Sequence, residues 1–185
     1  SAHWDHLGSR MAAGGAQQLF PGAVDDASGV AAVLTLAQSF SRMQRPERSI
    51  VFLFSTASEA GQLGAAWYVE HPIFPLKNTV AFIEVEHLRP GGPTRDVAAA
   101  GLGVSELDNL LRMTALLQGR ELHADSRAGD GGWYRADAHR FAMAGVPVLL
   151  ASAGIDDSAR GPAWGRAQED EYWLRRHHQP SDTYS

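Results

Sequence analysis

The chain has no cysteine. That absence removes disulfides, thiolate zinc sites and cysteine nucleophiles together, and it leaves the redox compartment open, because many secreted proteins also do without cysteine. No run of about 18 apolar residues occurs, so no membrane-spanning helix is predicted. Basic clusters are missing beyond Arg175 and Arg176, and with a net charge of −5 and a pI near 5.9 this argues against a phosphate-backbone partner. Nucleic acid is therefore not expected. There is no internal repeat, no low-complexity tract and no charged-then-apolar leader ahead of Ser1. What is present is enough apolar material, 44% of 185 residues, for one substantial core, which predicts a single domain over residues 1–185. The chain opens directly on SAHWDHLG, a functional-looking segment, and is read as a piece of a longer precursor whose earlier sheet strands are missing.

Helical and strand-like segments alternate. From Ala27 to Phe40, Val30, Val33, Leu34, Ala37 and Phe40 recur at spacings of three and four, which predicts a helix with one buried stripe and Ser28 at its N-cap. Ser49–Phe54 (SIVFLF) reads as a strand covered on both faces, and Thr79–Val85 (TVAFIEV) reads the same way until Glu84 and Glu86 close it. Gln62–Glu70 is predicted helical and stopped by Pro72. Ser105 begins a helix with a Ser-x-x-Asp start and a closing Gly119. A short helix near Ala136–Ala144 leads into the strand VPVLLAS, and Gly154–Glu171, rich in charge and glycine, is predicted to be a loop or lid. This alternation predicts an α/β fold with a mixed, largely parallel central sheet and helices on both faces.

Polar residues that end apolar runs are the candidates for chemistry, since ligands gather at the carboxyl ends of strands in such sheets. His3 and Asp5 lie two apart in AHWDH, so on a strand Asp5 would share the face of His3 and could fix the tautomer that binds a metal. Asp25 and Asp26 precede a helix, with Asp26 suited to the helix N-terminus. Glu59 follows SIVFLF, Glu84 and Glu86 compete on one strand face, and His178 stands four residues before Asp182. Two imidazoles and three carboxylates make up the nitrogen and oxygen set that two zinc ions with a bridging carboxylate require. His6, His87, His139 and His177 are read as structural or peripheral, and Trp67, Tyr68 and Phe141 as core or pocket wall. No glycine-framed elbow surrounds Ser58, which argues against a serine nucleophile.

Six segments in order, AHWDHLG, PGAVDDASGVAAVL, RSIVFLFSTASEAGQLGAAWYVEHP, LGVSELD, GWYRADAHRFAMAGVPVL and HHQPSD, make the chain resemble the zinc exopeptidases of metallopeptidase family 28. The resemblance implies a site above the sheet that holds two zinc ions, one by His3, Asp25 and Glu86 and the other by Asp25, Glu59 and His178. It implies Asp5 behind His3 and Tyr134 near the substrate carbonyl. A peptide or aminoacyl substrate and an exported or periplasmic compartment are implied as well. Oligomeric state is not legible.

Three departures bear on mechanism. Where the family reads Glu-Glu, this chain reads Ser58-Glu59, and the missing Glu is the family's general base. A hydroxyl that does not ionise near neutrality cannot take its place as proton acceptor, and loss of a positioned base commonly costs about 10²–10⁴ in rate. Glu86 stands where the family commonly has Asp, and Ala136-Asp137-Ala138 replaces Ser-Asp-His. The expectation is an N-terminal exopeptidase of weakened or absent turnover. Its rivals are a noncatalytic module that binds a peptide or protein, and a glutaminyl-cyclase-like transferase using one zinc.

Overall fold

The computed structural model describes residues 1–88 and 91–184. Thirteen main elements run in the order β1 (Ala2–His3), β2 (Gly8–Met11), β3 (Gln17–Phe20), α1 (Ser28–Arg42), β4 (Phe54–Ser55), α2 (Leu63–Glu70), β5 (Phe82–Val85), β6 (Asp96–Ala100), α3 (Leu107–Leu117), β7 (Glu121–Ala124), α4 (Asp137–Met143), β8 (Val148–Ala153) and α5 (Gly161–Arg175). Strands β5, β8, β6 and β7 form one sheet in that spatial order, in which β5 is parallel to β8, β8 antiparallel to β6, and β6 parallel to β7. Strand β1 pairs in parallel with β4. The chain start also reaches β5: Val85 N–H donates to the Ser1 carbonyl at 3.1 Å, and the Ser1 ammonium donates to the Ile83 carbonyl at 2.6 Å. The predicted mixed, mostly parallel α/β architecture is the one observed.

The core is built where α4 lies on β5 and β8. Phe141 of α4 stacks on Phe82 of β5 with ring centroids 3.8 Å apart, and Ala138, Val148 and Leu150 close around the pair. Strand β5 inverts the usual rule, because Ile83 faces out and Glu84 is fully buried. The Glu84 carboxylate finds its partners at the start of α4, accepting from Asp137 N–H at 3.2 Å and Ala138 N–H at 2.5 Å. Two unpaired amides and an anion thus satisfy one another at a helix N-terminus.

Three element predictions are corrected. The run Ser49–Phe54 is not a strand covered on both faces. Only Phe54–Ser55 pairs, and Ile50 and Val51 are exposed, because the neighbouring β1 offers just two residues of ladder. Gly154–Glu171 is not a loop throughout: helix α5 begins at Gly161 with Pro162 in its first turn, where a missing N–H costs nothing. Ser28 does not cap α1; its hydroxyl donates to the Val24 carbonyl at 2.7 Å and accepts from Leu88 N–H. The hairpin β2–β3 and strands β6 and β7 carry no clear alternation in the sequence and were not anticipated.

Candidate metal centre

Parallel strands β1, β4, β5 and β8 end on the same side, and the candidate residues collect there. His3 closes β1, Ser58 and Glu59 follow β4, Glu86 and His87 follow β5, and His177 and His178 follow α5. Asp25 comes from the turn between β3 and α1 and is 2% exposed. Its peptide bond to Asp26 is cis. Asp182 holds that turn from beneath: its carboxylate accepts from Val24 N–H at 3.1 Å and Asp25 N–H at 3.2 Å. A cavity of about 370 Å³ opens above, with His3, Asp25, Ser58, Glu59, His87 and His178 in its wall.

Asp25 is the hub. Its Oδ1 faces His3 Nε2 at 3.2 Å and His87 Nε2 at 3.4 Å. Its Oδ2 faces His178 Nε2 at 3.3 Å, His177 Nε2 at 3.6 Å and His6 Nδ1 at 3.7 Å. Glu59 Oε1 lies 3.2 Å from His178 Nε2 and 3.5 Å from His6 Nδ1. Both ring nitrogens of His6, Asp25 Oδ2 and His87 Nε2 are buried without a hydrogen-bond partner. Buried polar atoms are rarely left so, and a nitrogen and carboxylate donor set without thiolate suits zinc. The residues present therefore fit that ion.

Without an ion the electrostatics are those of a compact salt cluster. Burial works against a charge on Asp25, yet the facing imidazoles of His178, His3 and His87 hold it ionised, far below the usual carboxylate range. Burial likewise opposes protonating His3, but the bond to Asp25 and the charges of Asp26 and Asp25 outweigh it and raise the imidazole to about 10. The facing carboxylates of Asp25 and Glu59 raise His178 to about 9. His177 goes the other way, to about 4, pushed down by burial and by the neighbouring His178. Asp26 is raised to about 7 by burial. Glu86 rises well above its ordinary value through burial and the charge of Glu84.

The sequence candidates take distinct places. His3, Asp25, Glu59 and His178 come together. Glu86 lies in the cavity wall, but its nearest ring nitrogen is His87 Nδ1, at 3.7 Å from Oε2. Asp5 does meet His3, through its main chain: His3 Nδ1 is 2.7 Å from the Asp5 carbonyl oxygen, while the Asp5 carboxylate accepts from Thr56 Oγ1 and Ala57 N–H. The chain has left the strand by then, so the shared-face argument does not apply. Ser58 Oγ donates to Asp137 Oδ1 at 3.1 Å and Ser55 Oγ donates to Asp137 Oδ2. Tyr134 is 68% exposed and packs edge-on against His139, outside the cavity wall.

Sequence reasoning passed over His6, His87 and His177. Their only sequence signal is adjacency, His87 to Glu86 and His177 to His178. Non-glycine residues with positive φ among the described residues are Ala57, Gln62, His87 and His178, all at this site, where strained backbone commonly aims functional groups.

A model of peptidase family M28 matches residues 1–185. The chain belongs to that family. Among curated M28 relatives, the vacuolar membrane protease of Candida dubliniensis is 29% identical over 112 residues, which is 60% of this chain and 11% of that protein. The chain thus spans about a tenth of that relative's length. Among solved structures, an aminopeptidase from Aneurinibacillus sp. strain AM-1 superposes with a TM-score of 0.59 at 23% identity, over 88% of this chain and 34% of that one. A zinc aminopeptidase from Bacillus subtilis gives 0.60 at 21%, over 88% and 37%. These likenesses establish the M28 fold. The relative's name also corrects two expectations: a protease named for the vacuolar membrane goes against the exported or periplasmic compartment, and against a partner set that leaves the membrane out because the sequence has no spanning run. No helix among the described residues is long and apolar enough to cross a membrane.

Proposed function

We propose that this M28 domain is a zinc-dependent exopeptidase site that removes an N-terminal residue, held to low turnover by Ser58. The observation that supports it is Asp25, a buried carboxylate whose two oxygens face different imidazoles, the arrangement a bridging ligand needs. Residues His3, Asp25, Glu59 and His178 would hold metal, with the fifth position implied by resemblance at Glu86. A zinc ion there supplies Lewis-acid polarisation of the scissile carbonyl and lowers the pKa of water. The chain's own part is to orient and exclude. The Asp5 carbonyl fixes the Nδ1 proton of His3, leaving Nε2 free as donor. Glu59 and Asp25 steady His178, and the cavity takes the substrate's end. The compartment that goes with this reading is the one in the relative's name, the vacuolar membrane.

The weak step is proton removal. Ser58 offers a hydroxyl already committed to Asp137, and it cannot ionise near neutrality. Ser58→Glu should raise hydrolysis of an aminoacyl-anilide at saturating zinc by at least tenfold. An unchanged rate in that assay would take Ser58 out of the mechanism. The same hydroxyl favours a second reading, a noncatalytic module that binds a peptide terminus. Zero or one zinc ion with peptide binding and no turnover, in wild type and Ser58→Glu alike, would select it.

A further inference from the structure

Gln62 holds no metal and yet is built into the cavity wall. It is 6% exposed and adopts φ 55°, a left-handed backbone that residues with a side chain rarely take. Its carboxamide makes two hydrogen bonds: Nε2 donates to the Arg135 carbonyl at 2.7 Å, and Oε1 accepts from Arg140 Nε at 3.0 Å. Arg140 also donates from Nη2 to the Gly61 carbonyl at 3.0 Å, and Gln62 N–H donates to the Ser58 carbonyl at 2.8 Å. One side chain thus joins the turn of Ser58 and Glu59 to a second stretch of the same wall, where Gly132, Arg135 and Ala136 stand.

That second stretch has little to hold it in place by itself. It consists of two short 3₁₀ turns, Ala128–Asp130 and Gly132–Arg135, and contains Gly129, Gly131 and Gly132, so both its backbone freedom and its hydrogen-bond geometry work against a fixed shape. Trp133 secures one point, packed on the core and edge-on to His139. Among the described residues, the other hydrogen bonds of 131–135 are local, including Tyr134 N–H to the Gly131 carbonyl at 3.2 Å and Arg135 Nη1 to the Asp130 carbonyl at 3.0 Å. The bond from Gln62 is the one that reaches across to the Glu59 turn.

We propose that Gln62 is a positioning residue for the substrate: by holding the Arg135 carbonyl it fixes the wall of residues 131–136 and so sets the room left for the first side chain of a peptide. This deepens the exopeptidase reading above and rests on its assignment of the cavity to a peptide's amino end. The chemistry of the link explains the residue type. Arg140 offers only donors and the Arg135 carbonyl only accepts, so a side chain between them must accept at one atom and donate at another, which a carboxamide does. Glutamate keeps the acceptor and loses the donor; leucine loses both.

The test uses the zinc-loaded full chain and three dipeptide probes, beginning with alanine, leucine or phenylalanine and ending with glycine, whose peptide bond is reduced to CH₂–NH so that calorimetry reads binding without turnover. Gln62→Glu should bind the best wild-type probe about 5–10-fold more weakly, the worth of one hydrogen bond, and narrow the spread among the three, with zinc affinity unchanged. Gln62→Leu should match it in probe binding and melt at a lower temperature. Hydrogen exchange at the Tyr134 and Ala136 amides should quicken about tenfold in both variants. The proposal is overturned if Gln62→Glu binds all three probes as wild type does, if its zinc affinity falls in step with probe binding, if those amides exchange at wild-type rates, or if wild type binds no probe. The two readings separate cleanly: probe binding that depends on Gln62 while Ser58→Glu hydrolyses no aminoacyl-anilide would sink the turnover and leave the positioning role standing.

Discussion

Asp182 offers a direct way to ask whether the placement of Asp25 is built in from below. It is fully buried, and its carboxylate accepts from the amides of Val24 and Asp25 at 3.1–3.2 Å. Asp182→Ala leaves both amides without that acceptor. Hydrogen bonds to a charged group contribute about 1.5 kcal/mol each at the low end, so two give about 3 kcal/mol. With a urea slope of about 2 kcal/mol/M for a domain of this size, the unfolding midpoint should fall by about 1.5 M. The loosened turn should also weaken zinc binding by about 10–100-fold, the usual effect of losing a group that orients a metal ligand. Asp182→Asn keeps one acceptor oxygen and should lie about midway. A midpoint shift below about 0.5 M together with wild-type zinc affinity would refute the reasoning, because it would mean that the turn around Asp25 holds its shape without Asp182.

Other consequences are equally open to measurement. Phe141→Ala removes a ring stacked on Phe82 and should cost about 3–5 kcal/mol in chemical denaturation. Gly64→Ala would bring a Cβ to 2.5 Å from the Thr56 carbonyl and 2.7 Å from its nitrogen, so the turn carrying Ser58 and Glu59 must shift; a loss of about 1–3 kcal/mol is expected by thermal melting. The metal-free chain should lose stability as pH rises. A group whose folded pKa exceeds its unfolded one stabilises the fold fully below the unfolded value and ceases to do so above the folded value. His3, raised from 6.5 to about 10, His178, raised from 6.5 to about 9, and Asp26, raised from 3.8 to about 7, all act in this direction. His177, lowered from 6.5 to about 4, opposes Asp26 below pH 6.5, so the melting temperature should drop chiefly between about pH 7 and pH 10, and saturating zinc, which binds deprotonated imidazole, should reverse that trend. A flat profile in metal-free buffer would count against the salt cluster.

Helices α2, α3 and α4 were legible because their local signals, periodicity, Pro72, Gly119 and Gly145, do not depend on partners. Gly154–Glu171 reads as a loop or lid because charge and glycine mask α5, whose Tyr172 is buried against the site while Leu174 is exposed. The SIVFLF run shows the opposite error. Apolar β-branched residues were read as a covered strand, but strand length depends on the ladder a neighbour supplies, and β1 supplies two residues. Glu84 and Glu86 could not be separated by alternation alone. What separates them is the N-terminus of α4, which takes the Glu84 carboxylate and leaves Glu86 beside His87.

His3, Asp25, Glu59 and His178 were identifiable from the linear chain because each sits in a motif with fixed neighbours, and ordered motifs carry family and fold together. Which groups surround Asp25 was a matter for the tertiary structure. His6, His87 and His177 reach it only through the ends of β1 and β5 and the end of α5, segments brought together by sheet pairing and helix packing across more than a hundred residues of chain. Local sequence encodes the direction of a side chain within its own element. The distance between two ring nitrogens is a property of how those elements pack.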